Sequence, residues 1–421
     1  MGQGSSGATD VAHIPLSDID VSAHHLFESG EVLRLFERLR REDPVHYCRT
    51  SAFGPYWSIT RYDDIMSVDN NHKVFSSSFE HGGIVLADDQ MRPPVEGFVM
   101  SSFIGLDEPL HTPYRKAVQP IVAPQALEHF RTLVEQRTRS VLDELPVNEE
   151  FNWVDRVSIE LTTQMLATLF DFPFEDRRKL KLWSDVTTTL ETMDGFVSHE
   201  HRVAQLMECL EYFTRLWNER VNAPPKFDLV SMLAHAPSTR QMTPMDYLSQ
   251  VLMLIVGGND TTRNTMSASV YGMNLFPDEF RRLKADHGLI DNMVREVIRW
   301  QTPIPHQRRT ALEDARIGDK IIRKGDKVAM WYYSGNRDES IFPDGDAIRV
   351  GRESVNRHLS FGFGIHRCLG MRLAELQLRV LWQEILRRYE SIELVAAPKR
   401  TKSNQVNGYT DVRVRIKPLR H

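Results

Sequence analysis

Apolar residues recur at helical spacing over most of this chain. Residues 31–41 alternate apolar and basic side chains in that way, which predicts a first helix. His46–Tyr47 and 56–60 read instead as short strands. Helical spacing returns over 126–145, 153–170 and 176–221. Pro224–Pro225 and 235–238 interrupt it. Thr243 and Pro244 then supply a helix start, with Thr as N-cap and Pro at the first helical position. No proline follows until Pro277. The helix therefore runs about 33 positions, or roughly 50 Å at 1.5 Å per residue, long enough to cross the molecule and be buried. Two helices are expected over 277–287 and 290–300, and short strands and turns over 310–350. A last helix ends near Tyr389, and 412–416 reads as a strand.

Residues 81–110 break the periodicity. They combine Gly and Pro with Ile84, Val85, Leu86, Phe98, Met100 and Phe103. A loop of that length is functional or disordered in most compact folds. Its apolar content predicts that it lines something. Residues 1–12 read as a disordered tail, which leaves 13–421 as a single domain. The expected class is mainly α with small β-sheets.

Composition narrows the function classes. Hydrophobic residues make up 41% of the 421 and charged residues 26%, with net charge −5. These values suit a globular protein and point away from nucleic acid as a partner. No run approaches the roughly 20 apolar residues that span a bilayer, and the N-terminus reads as neither signal peptide nor anchor. The three cysteines, Cys48, Cys209 and Cys368, are far apart. No disulfide framework or CxxC zinc site is indicated, and a reducing, cytoplasmic setting is expected.

Cys368 has the most informative surroundings. Phe361-Gly362-Phe363-Gly364-Ile365-His366-Arg367-Cys368-Leu369-Gly370 places it in a glycine-rich loop before a helical run. Gly362, Gly364 and Gly370 are expected to allow tight turns and close approach of a flat ligand. Loop N–H groups and the helix N-terminus favour a thiolate. Such a group is a nucleophile, a redox centre or a metal ligand; a buried inert thiol is the plain alternative. A nucleophile paired with His366 lacks an evident third group. The surrounding residues favour haem iron as the partner, with His366 positioned to donate to a propionate.

Other groups stand out less when taken alone. Glu296 and Arg299 share a helix face, as an ordinary surface ion pair does. Gly257-Gly258-Asn259-Asp260-Thr261-Thr262 falls in the middle of the long helix, where each glycine costs roughly 1 kcal/mol relative to Ala. The Gly257 carbonyl and the Thr261 hydroxyl stand one turn apart, so a side-chain bond can replace a helical one. The plain reading is a kinked helix with a polar patch.

Together, and in this order, these motifs resemble the cytochrome P450 superfamily, over residues 25–418. The resemblance implies that family's fold, with haem b between the long central helix and the helix of the cysteine loop. It makes Cys368 the metal ligand, with Phe361 and Gly362 beside the cofactor. His111 and Arg115 of His111-Thr112-Pro113-Tyr114-Arg115, together with Arg309 and His366, would bind it. Asp260 and Thr261 would relay protons to dioxygen in a helix opened at the glycines. Glu296 and Arg299, completed by Arg352, would form a buried structural group. The runs 257–264, 303–309 and 358–362 further resemble the bacterial soluble alkane and fatty-acid ω-hydroxylase branch.

That branch implies terminal hydroxylation of medium-chain alkanes, alcohols or fatty acids in an apolar pocket. Ile84, Val85, Leu86, Phe103, Leu254, Gly257, Gly258 and Ile304 are its expected lining. No flavin or dinucleotide fingerprint occurs in the sequence. Electrons from NAD(P)H are therefore expected through a ferredoxin reductase and a ferredoxin, steered to a basic face that includes Arg115, Lys116, Arg357, Arg367 and Arg372. A terpene or steroid hydroxylase of the same family and a non-catalytic haem-thiolate sensor remain as alternatives.

Overall fold

The periodicity resolves into fourteen α-helices and twelve strands among the described residues of a computed structural model, which are 11–87, 102–189, 193 and 195–419. The chain opens with α1 (His24–Ser29), α2 (Val32–Glu42), β1 (Val45–Cys48), β2 (Tyr56–Ile59), α3 (Tyr62–Asn70) and β3 (Phe75–Ser76). Next come α4 (His111–Val118), α5 (Pro124–Asp143), β4 (Glu150–Asn152), α6 (Glu160–Phe170), α7 (Arg178–Thr188), α8 (His199–Val221) and α9 (Leu229–His235). α10 (Pro244–Leu275), α11 (Pro277–Ala285) and α12 (Ile290–Gln301) follow. The remainder is β5 (Gln307–Ala311), β6 (Ala315–Ile317), β7 (Lys320–Ile322), β8 (Lys327–Met330), α13 (Tyr332–Gly335), α14 (Met371–Arg388), β9 (Tyr389–Leu394), β10 (Lys399–Arg400), β11 (Tyr409–Asp411) and β12 (Arg413–Pro418).

The strands form small sheets. The largest has the order β1-β2-β8-β5-β3, and a three-stranded sheet has the order β4-β12-β9. β2 and β8 pair in parallel, whereas β5 pairs antiparallel to both β8 and β3. This places β5, and hence Arg308 and Arg309, between β8 and the edge strand β3 of the larger sheet.

α10 begins where the sequence predicts. Thr243 Oγ1 accepts from the Asp246 N–H (3.2 Å), and Asp246 Oδ2 accepts from the Thr243 N–H (3.3 Å). This capping box satisfies two donors that a bare helix end would leave unpaired. The helix then joins two apolar clusters. Tyr247, Leu248, Val251, Leu252 and Ile255 pack with Phe130, Leu166, Trp183 and Phe213. Met266, Ala268, Val270 and Met273 pack with Trp153, Trp300 and Trp382. Residues 257–265 contribute to neither cluster and form a polar seam between them. α14 bridges the same clusters through Leu373 and Leu376 on one side and Leu381 and Ile385 on the other. Trp382 Nε1 donates to Ser269 Oγ at 2.9 Å and ties α14 to α10.

Three sequence expectations change. The helix expected over 153–170 is π-wound at Val154–Ile159 before it becomes α6. Thr162 and Thr163 bond back to the carbonyls of Ser158 (3.0 Å) and Ile159 (2.7 Å), and such hydroxyls compete with regular winding. The run expected over 176–221 divides into α7 and α8, with Ser198 capping α8 by accepting from the His201 N–H. Within the expected tail, Val11 belongs to a single 3-10 turn, Val11–His13, and packs on the N-terminal cluster. Residues 1–10 lie outside the described residues. Among those described, no helix is long and apolar enough to cross a membrane.

Candidate active site

The cysteine loop is built on two left-handed glycines. Gly362 (φ +65°) and Gly364 (φ +64°) adopt a conformation that side chains resist. A Cβ on Gly364 would stand 2.5 Å from the Asp69 carbonyl oxygen. Gly370 differs from expectation: its φ is −84° and a Cβ there would meet nothing within 4 Å, so it serves as the N-cap of α14 and not as a turn. The Cys368 N–H closes the loop by donating to the Phe361 carbonyl at 2.8 Å.

Cys368 is open on one side and closely surrounded by protein on the others. Burial pushes its thiol pKa up, while the Gly370 N–H, Arg115 and the Met371 N–H pull against it. Burial prevails, so the thiol by itself stays protonated and is a weak nucleophile. A coordinated metal ion deprotonates a thiol outright, and the two N–H donors then serve the sulfur as a ligand. His366 does not activate it, because its Nε2 pairs with Ser77 Oγ at 2.7 Å.

Cations and imidazoles gather beside the loop. His111, at the start of α4, is 1% exposed and its Nε2 has no hydrogen-bond partner. His366 Nδ1 is likewise buried without one. The two rings meet edge to face, with centroids 4.3 Å apart. Burial, and then Arg309, push the His366 pKa down to about 2; burial also lowers that of His111. Both rings are therefore neutral near pH 7. Arg115 reaches the loop and donates from Nη2 to the Arg367 carbonyl (2.6 Å). Arg309 is 3% exposed, and its Nη2 pairs with Asp69 Oδ1 at 2.8 Å. Buried polar atoms without partners are costly. Neutral rings and guanidinium donors clustered next to a thiol fit a group that carries carboxylates and a metal, as haem does.

At the middle of α10 the helix remains unbroken, against the expected opening. Thr261 Oγ1 donates to the Gly257 carbonyl (2.9 Å) and Thr265 Oγ1 to the Thr261 carbonyl (2.8 Å). These bonds engage the carbonyls without ending the helix. The two glycines have different reasons. A Cβ on Gly257 meets nothing within 4 Å, and this residue is exposed, unlike its buried or half-buried neighbours in the helix. A Cβ on Gly258 would stand 2.7 Å from Leu166 Cδ2, so Gly258 serves the packing of α10 on α6, not a pocket wall.

Asp260 is 1% exposed. Its Oδ1 pairs with Arg263 Nη2 (2.7 Å) and accepts from Asn259 Nδ2 (3.1 Å). Thr162 Oγ1 fixes Asn259 at 3.0 Å, and Arg263 continues to Asp185 (3.3 Å), which pairs with Lys181. Burial raises the Asp260 pKa above the ordinary carboxylate value, with Arg263 pulling against it. The sequence reading missed Arg263, Asp185, Asn259 and Thr162. Only Arg263, three residues after Asp260, had a local signal.

Glu296 and Arg299 are both fully buried, and Arg352 joins them. Glu296 accepts from Arg299 Nε and Nη2 (2.8 Å each) and from Arg352 Nε (2.9 Å). The expected pocket residues are scattered. Ile84 and Val85 are buried at 6% and 8%, beside β5, where the Arg308 N–H donates to the Ile84 carbonyl (2.8 Å). Leu86 is 1% exposed and packs in the N-terminal cluster with Phe27 and Trp331, which removes it from a pocket wall. Phe103 packs in the helical cluster, Leu254 lies against that cluster, and Ile304 is half-buried. Phe98 and Met100 lie outside the described residues. A surface groove of about 780 Å³ lined by Arg137, Phe174 and Arg177 shares no residue with this site.

Comparison with known proteins assigns the architecture. The profile described as cytochrome P450 matches residues 198–410. Linalool 8-monooxygenase of Pseudomonas putida is 34% identical over 91% of this chain and 95% of its own length. The solved structure of CYP153D17 from a Sphingomonas species is 44% identical, covers 94% of this chain and 98% of that one, and has a TM-score of 0.88. Cytochrome P450-153 from Novosphingobium aromaticivorans is 39% identical over 94% and 99% of the two chains, also with a TM-score of 0.88. Fold, cysteine loop and relatives agree: this chain belongs to the cytochrome P450 family and is an oxidoreductase of the monooxygenase type.

Proposed function

We propose that the protein is a cytoplasmic monooxygenase that hydroxylates the terminal carbon of medium-chain alkanes, alcohols or fatty acids. Haem b is the cofactor we infer, with Cys368 as its axial ligand. His111, Arg115, Arg309 and His366 would hold its carboxylates, and Phe361 and Gly362 would lie against it. Bound there, haem supplies the activation of dioxygen and the insertion of one oxygen atom into a C–H bond. Electrons come from NAD(P)H through a ferredoxin reductase and a ferredoxin. Exposed Lys116, Arg357, Arg367 and Arg372 offer the cationic face for docking.

We place Ile84 and Val85 in the pocket wall, as the resemblance to the ω-hydroxylase branch implies, and one observation supports a terminal preference from there. Their segment is pinned to β5, with Arg308 reaching the carbonyls of His81 (3.3 Å) and Val85 (3.5 Å). A Cβ on Gly82 would stand 2.1 Å from Arg308 Nη2. Terminal C–H bonds are stronger than internal ones, so position must be imposed by walls that do not yield. A pinned apolar wall supports presentation of a chain end. Turnover of octane and dodecanoic acid with surrogate redox proteins, with products separated by position, tests this reading. Terminal alcohols are expected. Internal hydroxylation alone, or product only from terpenes, would rule it out. The 34% identity to linalool 8-monooxygenase favours a terpene as the second reading. Reduction without any product would instead support the sensor.

Asp260 and Thr261 hold and pass the protons. A carboxyl with a raised pKa stays protonated further toward neutral pH, and it loads and releases a proton more readily there. Asp260→Asn is expected to lower kcat about 100-fold with little change in KM. The wild-type fall in kcat with rising pH, in the window above the ordinary carboxylate pKa, should vanish in the variant. A pH profile of kcat shared by both proteins would remove Asp260 from proton delivery.

A further inference from the structure

Asp69 is a buried carboxylate. It lies near the end of α3, next to Val68 at 0% exposure, and is itself 3% exposed. An unpaired charge there would be very costly. Asp69 is fully partnered, and every partner belongs to the cysteine loop or its surroundings. Oδ1 pairs with Arg309 Nη2 (2.8 Å). Oδ2 accepts from the Tyr332 hydroxyl (2.8 Å) and from the Phe363 N–H (2.8 Å). Phe363 stands between the two left-handed glycines. At Gly364 a Cβ would come 2.5 Å from the Asp69 carbonyl oxygen, so Asp69 admits only glycine there, whereas at Gly362 the left-handed φ of +65° favours glycine and a Cβ would meet Asp69 Oδ2 at an ordinary 3.5 Å. One side chain thus bonds the turn that carries Cys368 and pairs with Arg309.

We propose that Asp69 is a positioning residue for the cofactor, setting both the register of the cysteine loop and the net charge beside it. The proposal rests on the haem reading above. Arg309 would be shared between Asp69 and a haem carboxylate, so the Asp69 carboxylate adds one negative charge beside the site. Losing that charge favours the reduced form. The Phe363 bond holds the loop so that the sulfur keeps one orientation.

The experiment uses full-length protein loaded with haem. Asp69→Asn removes the charge, Asp69→Glu keeps it but displaces the oxygens, and Tyr332→Phe removes one bond and no charge. The readouts are the reduction potential and the Soret band of the reduced, CO-bound protein. Asp69→Asn is expected to move the potential to a more positive value and to split the band between the thiolate-type position and a blue-shifted one. Asp69→Glu is expected to split the band with little change of potential, and Tyr332→Phe to leave the potential unmoved. Asp69→Asn with the wild-type potential and an undivided band would overturn the role. So would Tyr332→Phe shifting the potential as far as Asp69→Asn, since Asp69 would then matter only for packing. If Asp69→Asn does not fold, an undivided band in Asp69→Glu overturns it. Wild-type protein without a thiolate-type band would overturn the haem reading and this role together, whereas a normal wild-type band with unchanged variants overturns only the role of Asp69.

Discussion

Replacing Cys368 by serine is expected to remove the red-shifted, thiolate-type Soret band of the reduced, CO-bound protein and nearly all turnover. Serine keeps the backbone, so the Cys368 N–H bond to Phe361 and the two glycine turns survive. Far-UV circular dichroism should therefore match the wild type. On the haem reading, what would be lost is the anionic sulfur ligand, which supplies electron density that favours O–O cleavage. The expected fall in kcat is on the order of 10³-fold or more, equal to about 4 kcal/mol of transition-state stabilisation. A retained thiolate-type band in the serine variant would place the ligand elsewhere. The same variant separates the rival chemistries, since a cysteine hydrolase would lose hydrolysis and show no haem spectrum in either form.

The largest loss of stability is expected at Glu296. It accepts from Arg299, from Arg352 and from the Arg349 N–H (2.9 Å) with no exposure to water. Arg299 continues to the carbonyls of Asn336 and Gly345 (2.7 Å each) and Ala347 (2.9 Å). The group thus fastens α12 to the 336–352 segment that leads into the cysteine loop. Glu296→Gln keeps the shape but leaves two buried guanidiniums without their anion. Breaking one side of a buried ion pair costs about 3–5 kcal/mol, a large share of the roughly 5–15 kcal/mol that holds a domain together. The urea midpoint should fall sharply, and folded protein that takes up haem should be scarce. An unchanged midpoint would show that the buried charges are compensated in another way.

Features set by neighbours in sequence were legible. The Thr243–Pro244 start and the proline-free run gave the length of α10, because helix ends are decided within a turn by caps and by proline. The glycine and cysteine spacing of 361–370 gave the loop, because left-handed φ is a local demand. Glu296 and Arg299 met at helical spacing. Their burial, and the arrival of Arg352 from 53 positions beyond Arg299, were not local facts.

The rest depended on packing. Asp69 lies 240 positions from Arg309, and Asp185 lies 78 from Arg263. Neither pair has a periodic or motif signal, since such contacts exist only once distant helices and strands have docked. Leu86 looked like a pocket residue because apolar side chains in a loop suggest a lining, yet a core takes the same side chains. Gly258 looked like a helix-opening residue, but a neighbouring leucine decides its size.

By itself, the sequence determined the thiol-bearing loop, the long helix and the paired Glu and Arg, because each follows from short-range geometry. The tertiary structure alone decided which carboxylate bonds the loop, which arginine holds Asp260 and which apolar loop residue joins the core. Those outcomes depend on burial and charge compensation between segments that meet only in the folded chain.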